Sequence, residues 1–458
     1  MKAENIEDIY KLSPTQQGLL FHTLYNPESG VYCDQYSITL KGNLNTLAFE
    51  QAWQQLAKRH AVLRTSFHWE DIDEPMQVVH RQVELPLEQQ DWRGINSAQQ
   101  QQQLESFLKT EQKRGFELSH PPLMRLALIQ MADNVYQFIW SNHHILWDGW
   151  SRIVLFKEFL EIYQALCTNQ NPYLKPAFPY RKYIAWLRQQ DLSQAEAFWR
   201  NALKGFTAPT PLVVNKLFAA NTSSSQEYDE QKIELSVAST EKLKSFARQY
   251  QITLNTLVQG AWALLLARYS GQDDVLFGAV RTGRNSALEG IESMVGLLIN
   301  FLPVRVQVDI ELPLVPWLKK LQAQSIALQN YEHTPLVKVH ECSEVAKGTP
   351  LFESIVIFEN EEINETLRSQ GGSWENREFQ RIAEREYPFN VVLVARAGLE
   401  LVLKVNYESN RCDEDAMVRL AGHLKTLLEG IAVNPDRPLI DLPILTEAER
   451  HQLLVEWN

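Results

Sequence analysis

The stretch Asn142-His143-His144-Ile145-Leu146-Trp147-Asp148-Gly149-Trp150-Ser151 sets two adjacent histidines a short, fixed distance ahead of an Asp-Gly pair. The run before it, Tyr136-Gln137-Phe138-Ile139-Trp140, is apolar and reads as a buried strand. The run after it spaces Ile153, Phe156, Phe159, Leu160 and Tyr163 as a helix does. His144 therefore sits where a strand gives way to a helix. Histidine exchanges a proton near neutral pH, with an unperturbed pKa of about 6.5. Two readings stand at this level: a core histidine at a strand end, or a catalytic one. Asp148 is a good N-cap for the following helix in either case. A shared metal ion is the weaker idea, because adjacent side chains on an extended strand point to opposite faces. The same geometry lets only one of the two histidines face a given cleft.

Working outward, two halves of the chain echo each other. In the first, a strand at Tyr36–Leu40 leads to a helix near Leu47–His60 and a strand through Leu63–Trp69. In the second, Lys232–Leu235 leads to a helix at Glu241–Tyr250, an apolar helix at Leu254–Tyr269 and a strand at Val275–Val280. Ala261, Trp262, Leu264, Leu265 and Leu266 cover most of that apolar helix's girth, which predicts that it is buried. The halves meet near Asn171–Pro179, where prolines interrupt the periodicity. Strands alternating with helices predict two α/β lobes, over 1–175 and 176–445, with 446–458 beginning a linker to a following domain. Gln99–Gln103 read as the solvated face of a helix ending near Lys113, and Ala219–Gln226 as an exposed loop.

Composition narrows the function. The 458 residues, 45% hydrophobic and 22% charged, make an ordinary globular chain long enough for two cores. The formal net charge of -12 argues against nucleic acid, anionic membrane surfaces and acidic small substrates. The four cysteines are scattered with no CxxC, as reduced thiols of a cytoplasmic protein would be. Residues 1–30 hold no signal-peptide pattern, and no apolar run reaches membrane-spanning length. There is no GxSxG elbow, Walker A motif or GxGxxG after a strand to compete with the double histidine.

With these residues in hand, the chain resembles the condensation domain of nonribosomal peptide synthetases along essentially its whole length. His143-His144-x-x-x-Asp148-Gly149 resembles the family's HHxxxDG signature. Leu12-Ser13-Pro14-Thr15-Gln16-Gln17-Gly18-Leu19-Leu20-Phe21 resembles its first motif. Arg59-His60-x-x-Leu63-Arg64-Thr65-x-Phe67 resembles the second, with Ala61 in place of the usual Glu. Tyr180-x-x-Tyr183-Ile184-Ala185-Trp186 resembles the fourth, with Lys182 where Asp is usual, and Val295–Arg305 the fifth. Asn330–Leu336 and Pro350–Glu353 fit later segments.

The resemblance implies two lobes like chloramphenicol acetyltransferase, set as a V-shaped pseudo-dimer with a central tunnel. Segments of the second lobe would cross back over the cleft; Arg281–Glu292 and Leu351–Pro388 are the candidates. The implied reaction is amide formation between a donor peptidyl or aminoacyl thioester and the amine of an acceptor aminoacyl thioester, both on carrier proteins. The implied roles are His144 as general base or positioning group, and the Gly149 N–H as oxyanion donor. Asp148 would pair with Arg64, and His143 would be a packing residue. Asn300, Trp147, Trp150 and Gln17 are tunnel candidates, the tryptophans being equally readable as core. No metal or cofactor is implied for the domain itself, since the 4'-phosphopantetheine arms belong to the donor and acceptor carrier proteins. An adenylation domain is expected C-terminally, and the domain itself is expected to be monomeric.

The flanks Gln17–His22 and Leu146–Ser151 resemble the subtype that joins a D-residue donor to an L-residue acceptor. Met1 immediately before the first motif suits a polypeptide receiving its donor from a separate subunit. The rivals are an epimerisation domain, which shares HHxxxDG but adds second-lobe motifs not found here, and an inactive docking platform. A cyclisation domain would replace the double His, and a plant-type acyltransferase would carry DFGWG; neither fits.

Overall fold

The computed structural model describes residues 3–26, 32–212, 214, 228–286, 288–360, 378–383 and 389–457. The expected Ala219–Gln226 loop lies outside them, as does most of the expected Leu351–Pro388 crossing segment. The described strands are β1 (Ile6–Lys11), β2 (Cys33–Lys41), β3 (Thr65–His68), β4 (Met76–His80), β5 (Leu87–Asp91), β6 (Met124–Ala132), β7 (Val135–His143), β8 (Tyr228–Leu235), β9 (Asp274–Arg281), β10 (Asn300–Gln307), β11 (Ser354–Asn360), β12 (Glu378–Ala383), β13 (Val391–Ala397) and β14 (Leu401–Glu408). The α-helices are α1 (Pro14–Tyr25), α2 (Thr46–Arg59), α3 (Ser97–Arg114), α4 (Gly149–Cys167), α5 (Arg181–Arg188), α6 (Leu192–Ala202), α7 (Val237–Tyr250), α8 (Leu254–Ser270), α9 (Leu314–Leu328), α10 (Leu336–Glu341), α11 (Glu414–Ile431) and α12 (Glu447–His451).

The chain divides into two compact units. The first comprises Met1–Gln190, Thr282–Ile299 and Glu362–Pro388. Its larger sheet has the order β12-β2-β7-β6-β5, with β5 parallel to β6 and the other neighbours antiparallel. A small antiparallel sheet, β1-β4-β3, completes it. Period-2 alternation decides what each face of β7 buries. Phe138 and Trp140 meet the rings of α2 and α4: Phe49 lies 4.9 Å from Phe138, Trp53 5.0 Å from Trp140 and Phe159 4.8 Å from Trp53. Ile139, on the other face, joins Trp92, Leu108, Ala127 and Ile129. Each fully buried large side chain is worth about 1.5–3 kcal/mol, so this ring cluster does more than any single hydrogen bond to fix β7 against its helices.

The first unit extends past the lobe boundary expected at residue 175. Helix α5 falls within it, because the Tyr180 and Tyr183 hydroxyls donate to the Leu297 and Leu298 carbonyls at 2.7 and 3.4 Å. Gly296 is what lets that strap lie so close. A Cβ there would stand 2.1 Å from Cδ2 of the buried Tyr180 ring.

The second unit comprises Asp191–Arg281, Asn300–Glu361 and Phe389–Asn458. Its sheet runs β10-β9-β11-β13-β14-β8, with β11 parallel to both β9 and β13 and the remaining pairs antiparallel. Helix α8 is buried from Thr256 to Ala267, as its apolar girth predicts. Beyond residue 445 the chain forms the capped helix α12. Thr446 and Glu449 make a capping box, and Glu449 takes a 2.9 Å bond from His423 Nε2 on α11. His423 Nδ1 in turn meets the Tyr269 hydroxyl at 2.8 Å.

Candidate active site

The double histidine sits at the end of β7, and strand alternation separates its two rings. Antiparallel register places Cys33 opposite His143 and Asp34 opposite Asn142. Side chains of directly opposed residues share a face. Asp34, Asn142 and, two residues on, His144 are therefore on one side, while Cys33 and His143 are on the other. The backbone N–H of His144 donates to the Tyr32 carbonyl at 2.8 Å and that of His143 to Leu123 at 3.0 Å, which holds the turn on both edges.

The His143 ring belongs to a chain of bonds whose directions are all determined. The Ile145 N–H donates to Nδ1 at 3.1 Å, so Nδ1 is an acceptor and Nε2 carries the proton. Nε2 lies 3.2 Å from Thr23 Oγ1, whose own proton goes to the Leu19 carbonyl at 2.8 Å. Burial, with the neighbouring His144, pushes the His143 pKa down to about 3. The ring lies neutral between α1 and the sheet, with Phe116 edge-on at 6.4 Å.

The His144 ring is nearly fully buried, and its Nδ1 lies 3.0 Å from Oδ2 of Asp34, which is buried as well. A carboxylate only accepts, so it holds the proton on Nδ1 and leaves the lone pair on Nε2. Asn142 Nδ2 approaches the same Asp34 oxygen at 3.4 Å. The two adjacent histidines thus carry opposite tautomers.

Asp148 caps α4, as expected, accepting the Ser151 N–H at 2.9 Å. Its partner is not Arg64. Arg64 is taken up by Glu7 at 2.6 Å, the Ala57 carbonyl at 2.8 Å and the His80 carbonyl. The cation on Asp148 is Arg284, whose Nη2 lies 2.9 Å from Oδ1 with both residues buried. The Leu298 N–H donates to the other carboxylate oxygen at 3.0 Å. Ser151 Oγ accepts from Arg284 Nη2 at 2.9 Å and from the Gly296 N–H at 3.0 Å. Asp148 and Ser151 therefore clamp Arg284 and the Gly296–Leu298 stretch onto the start of α4.

The other motif residues support the same loop. Ser13 and Gln16 form a capping box on α1, and Gln16 Nε2 donates to the Ile145 carbonyl at 3.2 Å. Thr15 donates to the Ile299 carbonyl at 2.9 Å. His60 and Arg59 bind Glu158 on α4, at 2.6 and 2.8 Å. Burial alone would raise the Glu158 pKa, but these hydrogen bonds outweigh it and hold the carboxyl below its usual range. Trp147 is buried against Trp140, 5.8 Å away, and so joins the core. Trp150 is 41% exposed and donates to the Glu292 carbonyl at 2.8 Å. Gln17 is exposed; the buried glutamine is its neighbour Gln16. In the second unit, Asn300 Nδ2 donates to the Glu332 and Thr334 carbonyls at 2.9 and 2.7 Å, the bonds of a loop brace. Gly149 is the first residue of α4, where backbone N–H groups have no partner within the helix. Sequence reading missed Asp34, Arg284 and Ser151. The described residues hold no cluster of His, Cys, Asp and Glu able to bind a metal ion, and no helix among them is long and apolar enough to cross a membrane.

The family model described as "Condensation domain" matches residues 6–454. The chain belongs to this family. Condensation domains catalyse amide-bond formation in nonribosomal peptide biosynthesis. Among curated relatives, this condensation domain is 43% identical over 453 residues to one of the linear gramicidin synthase polypeptides of Brevibacillus parabrevis, and 40% over 454 residues to another. It is 36% identical over 461 residues to bacitracin synthase 3 of Bacillus licheniformis. Each alignment takes in 99–100% of this chain but only 6–9% of the synthetase. The condensation domain thus spans under a tenth of the length of these relatives. Solved structures share its α/β fold at low identity. The starter condensation domain of rhizomide synthetase RzmA matches with TM-score 0.79 and 18% identity, over 95% of this chain and 98% of that one. The four-domain nonribosomal peptide synthetase AB3403 matches with TM-score 0.81 and 18% identity, over 97% of this chain and 34% of that one. The X-domain from teicoplanin biosynthesis matches with TM-score 0.77 and 20% identity, over 97% and 99%.

Proposed function

We propose that this condensation domain joins a donor peptidyl or aminoacyl thioester to the amine of an acceptor aminoacyl thioester, each held on the 4'-phosphopantetheine arm of a carrier protein. The acceptor nitrogen attacks the donor carbonyl carbon, the C–N bond forms, the C–S bond breaks, and the thiolate leaves with a proton. An α-amine has a pKa near 8 and must present a free lone pair. His144 Nε2, with Nδ1 engaged by Asp34, is the atom suited to accept the proton or to hold the amine in line. The Gly149 N–H at the start of α4 is the proposed oxyanion donor. No cofactor of the domain's own enters this scheme. The arms reach His144 through the tunnel of the V-shaped pair of lobes that the family resemblance implies, in a cytoplasmic assembly with a neighbouring adenylation domain.

The observation that carries this reading is the His144–Asp34 pair beside a motif loop clamped by Asp148. Loading two carrier proteins with aminoacyl groups and following the transferred product by mass spectrometry tests it. His144→Ala, with an unchanged melting curve, is expected to lose about 100-fold or more of the rate. Undiminished product would overturn the assignment. The flanks Gln17–His22 and Leu146–Ser151 support the subtype that takes a donor ending in a D-residue. Competition between D- and L-terminated donors decides that point, and preference for the L-donor removes it. The X-domain shares the fold and has been solved in complex with OxyB, so the fold alone leaves a docking role open. Carrier-protein binding without turnover would favour that second reading.

A further inference from the structure

The motif contains one carboxylate, Asp148, but the imidazole of the motif is held by another, 110 positions away in sequence. Asp148 is committed to the Ser151 and Leu298 N–H groups and to Arg284. Asp34 is the second residue of β2, paired with Asn142 of β7, and is only 1% exposed. Aspartate is disfavoured in strands, and burying its charge costs several kcal/mol unless it is well hydrogen-bonded. A neutral residue would fill the position at lower cost unless the carboxylate is needed for the bonds it makes. Two of these are to His144 Nδ1 and Asn142 Nδ2, both on β7 or its immediate end. Two strands in ladder register make a rigid frame for such a pair, which is what a precise site requires.

We propose that Asp34 is the positioning residue of this site: it accepts the Nδ1–H of His144, and so fixes both the ring's orientation and the tautomer that presents Nε2 to the acceptor amine. The proposal rests on the condensation reading above. Asp34 acts through His144 and touches no reacting atom.

The test uses the full chain labelled with ¹⁵N-histidine. In the wild type, the His144 signal, identified by its loss in His144→Ala, should show a protonated Nδ1 and an unprotonated Nε2. His143 should show the reverse, from the bonds of Ile145 and Thr23. Asp34→Leu, which keeps the branching but cannot accept, should shift the His144 tautomer toward Nε2–H. It should also lower kcat by about tenfold or more with KM little changed, the pattern of a lost contribution to the chemical step. Asp34→Asn retains an acceptor oxygen and should recover part of both. A wild-type His144 protonated on Nε2 would overturn the proposal. So would a turnover loss in Asp34→Leu with no change of tautomer, which would mark a merely structural carboxylate. The wild-type spectrum decides the matter even if Asp34→Leu does not fold. Absence of amide product from the wild-type domain would instead defeat the condensation reading and leave the tautomer result standing.

Discussion

Arg284→Met is the sharpest test of how the motif loop is built. The substitution keeps an unbranched side chain of similar reach and removes the charge that faces Asp148. At 2.9 Å and an effective dielectric near 20, the attraction between the two charges is about 6 kcal/mol before desolvation is counted. The measurable loss is smaller, because Asp148 keeps the Leu298 and Ser151 N–H bonds. Removing one partner of a buried pair typically costs about 3–5 kcal/mol, and the retained donors place this case near 3. For a unit of this size class that corresponds to a fall of about 6–12 °C in the melting transition. A chain with two units need not melt in one step, so scanning calorimetry, which separates transitions, is the assay. The companion is a double-mutant cycle with Asp148→Asn. Removing both charges should cost much less than the sum of the single losses, giving a coupling of about 2 kcal/mol or more. The same cycle between Arg64→Met and Asp148→Asn should be additive to within about 0.5 kcal/mol, because Arg64 serves Glu7 and the Ala57 and His80 carbonyls. A melting shift below about 2 °C for Arg284→Met, or strong coupling of Asp148 to Arg64, would refute the arrangement.

Two further perturbations follow from the same loop. His143 titrates near 3 in the folded protein but near 6.5 unfolded. The unfolded chain therefore takes up the proton first as pH falls. His143 contributes nothing to the pH dependence above about 6.5, and below it stability drops by up to about 1.4 kcal/mol per pH unit until pH approaches 3. His143→Gln should flatten the denaturant-midpoint curve between pH 6 and about 4 relative to wild type; parallel curves would show that the ring charges freely when folded. Gly296→Ala drives a Cβ into the Tyr180 ring, whose hydroxyl is held by the Leu297 carbonyl at 2.7 Å. An overpacking loss of about 1–3 kcal/mol is expected by chemical denaturation, largely relieved by adding Tyr180→Ala, and a neutral Gly296→Ala would mean the strap is free to lift.

Much of this site is legible in the sequence. The apolar run into Trp140 and the helical spacing after Asp148 place the junction, and period-2 alternation separates His143 from His144. The N-cap role of Asp148 follows from residue type and position alone. These are local properties, set by backbone periodicity and by the unpaired N–H groups of a helix start. The partners are not legible. Arg284 is 136 positions from Asp148, and Asp34 is 110 from His144. Pairing at that distance depends on strand order and register, which periodicity does not encode. Arg64 is the expected partner because it lies in a motif, yet its position at the end of the Ala61–Arg64 turn delivers it to Ala57, Glu7 and His80. Asp34 does leave a trace: a carboxylate inside a strand whose neighbours Tyr32, Cys33 and Tyr36 are all buried. That composition flags a residue with a partner, though not which partner.

The two carboxylates divide the work of the site along a physical line. A charge that must be spent on holding backbone together is most effective where N–H groups converge. Asp148 occupies such a point, receiving the first turn of α4 and the Leu298 amide, with Arg284 balancing its charge. So saturated, it has little capacity left to steer a proton on a neighbouring ring. Steering needs a carboxylate with an oxygen aimed at imidazole nitrogen and a backbone that does not yield, and an interior strand supplies both. Asp34 has that position in β2, directly opposite Asn142 on β7 and facing His144. The signature's own aspartate then keeps the loop in place whatever the histidine does. The tautomer depends instead on a residue outside the signature, so a relative with an intact HHxxxDG and no acceptor at the position of Asp34 should keep the fold of the loop but lose the proton's address on Nδ1.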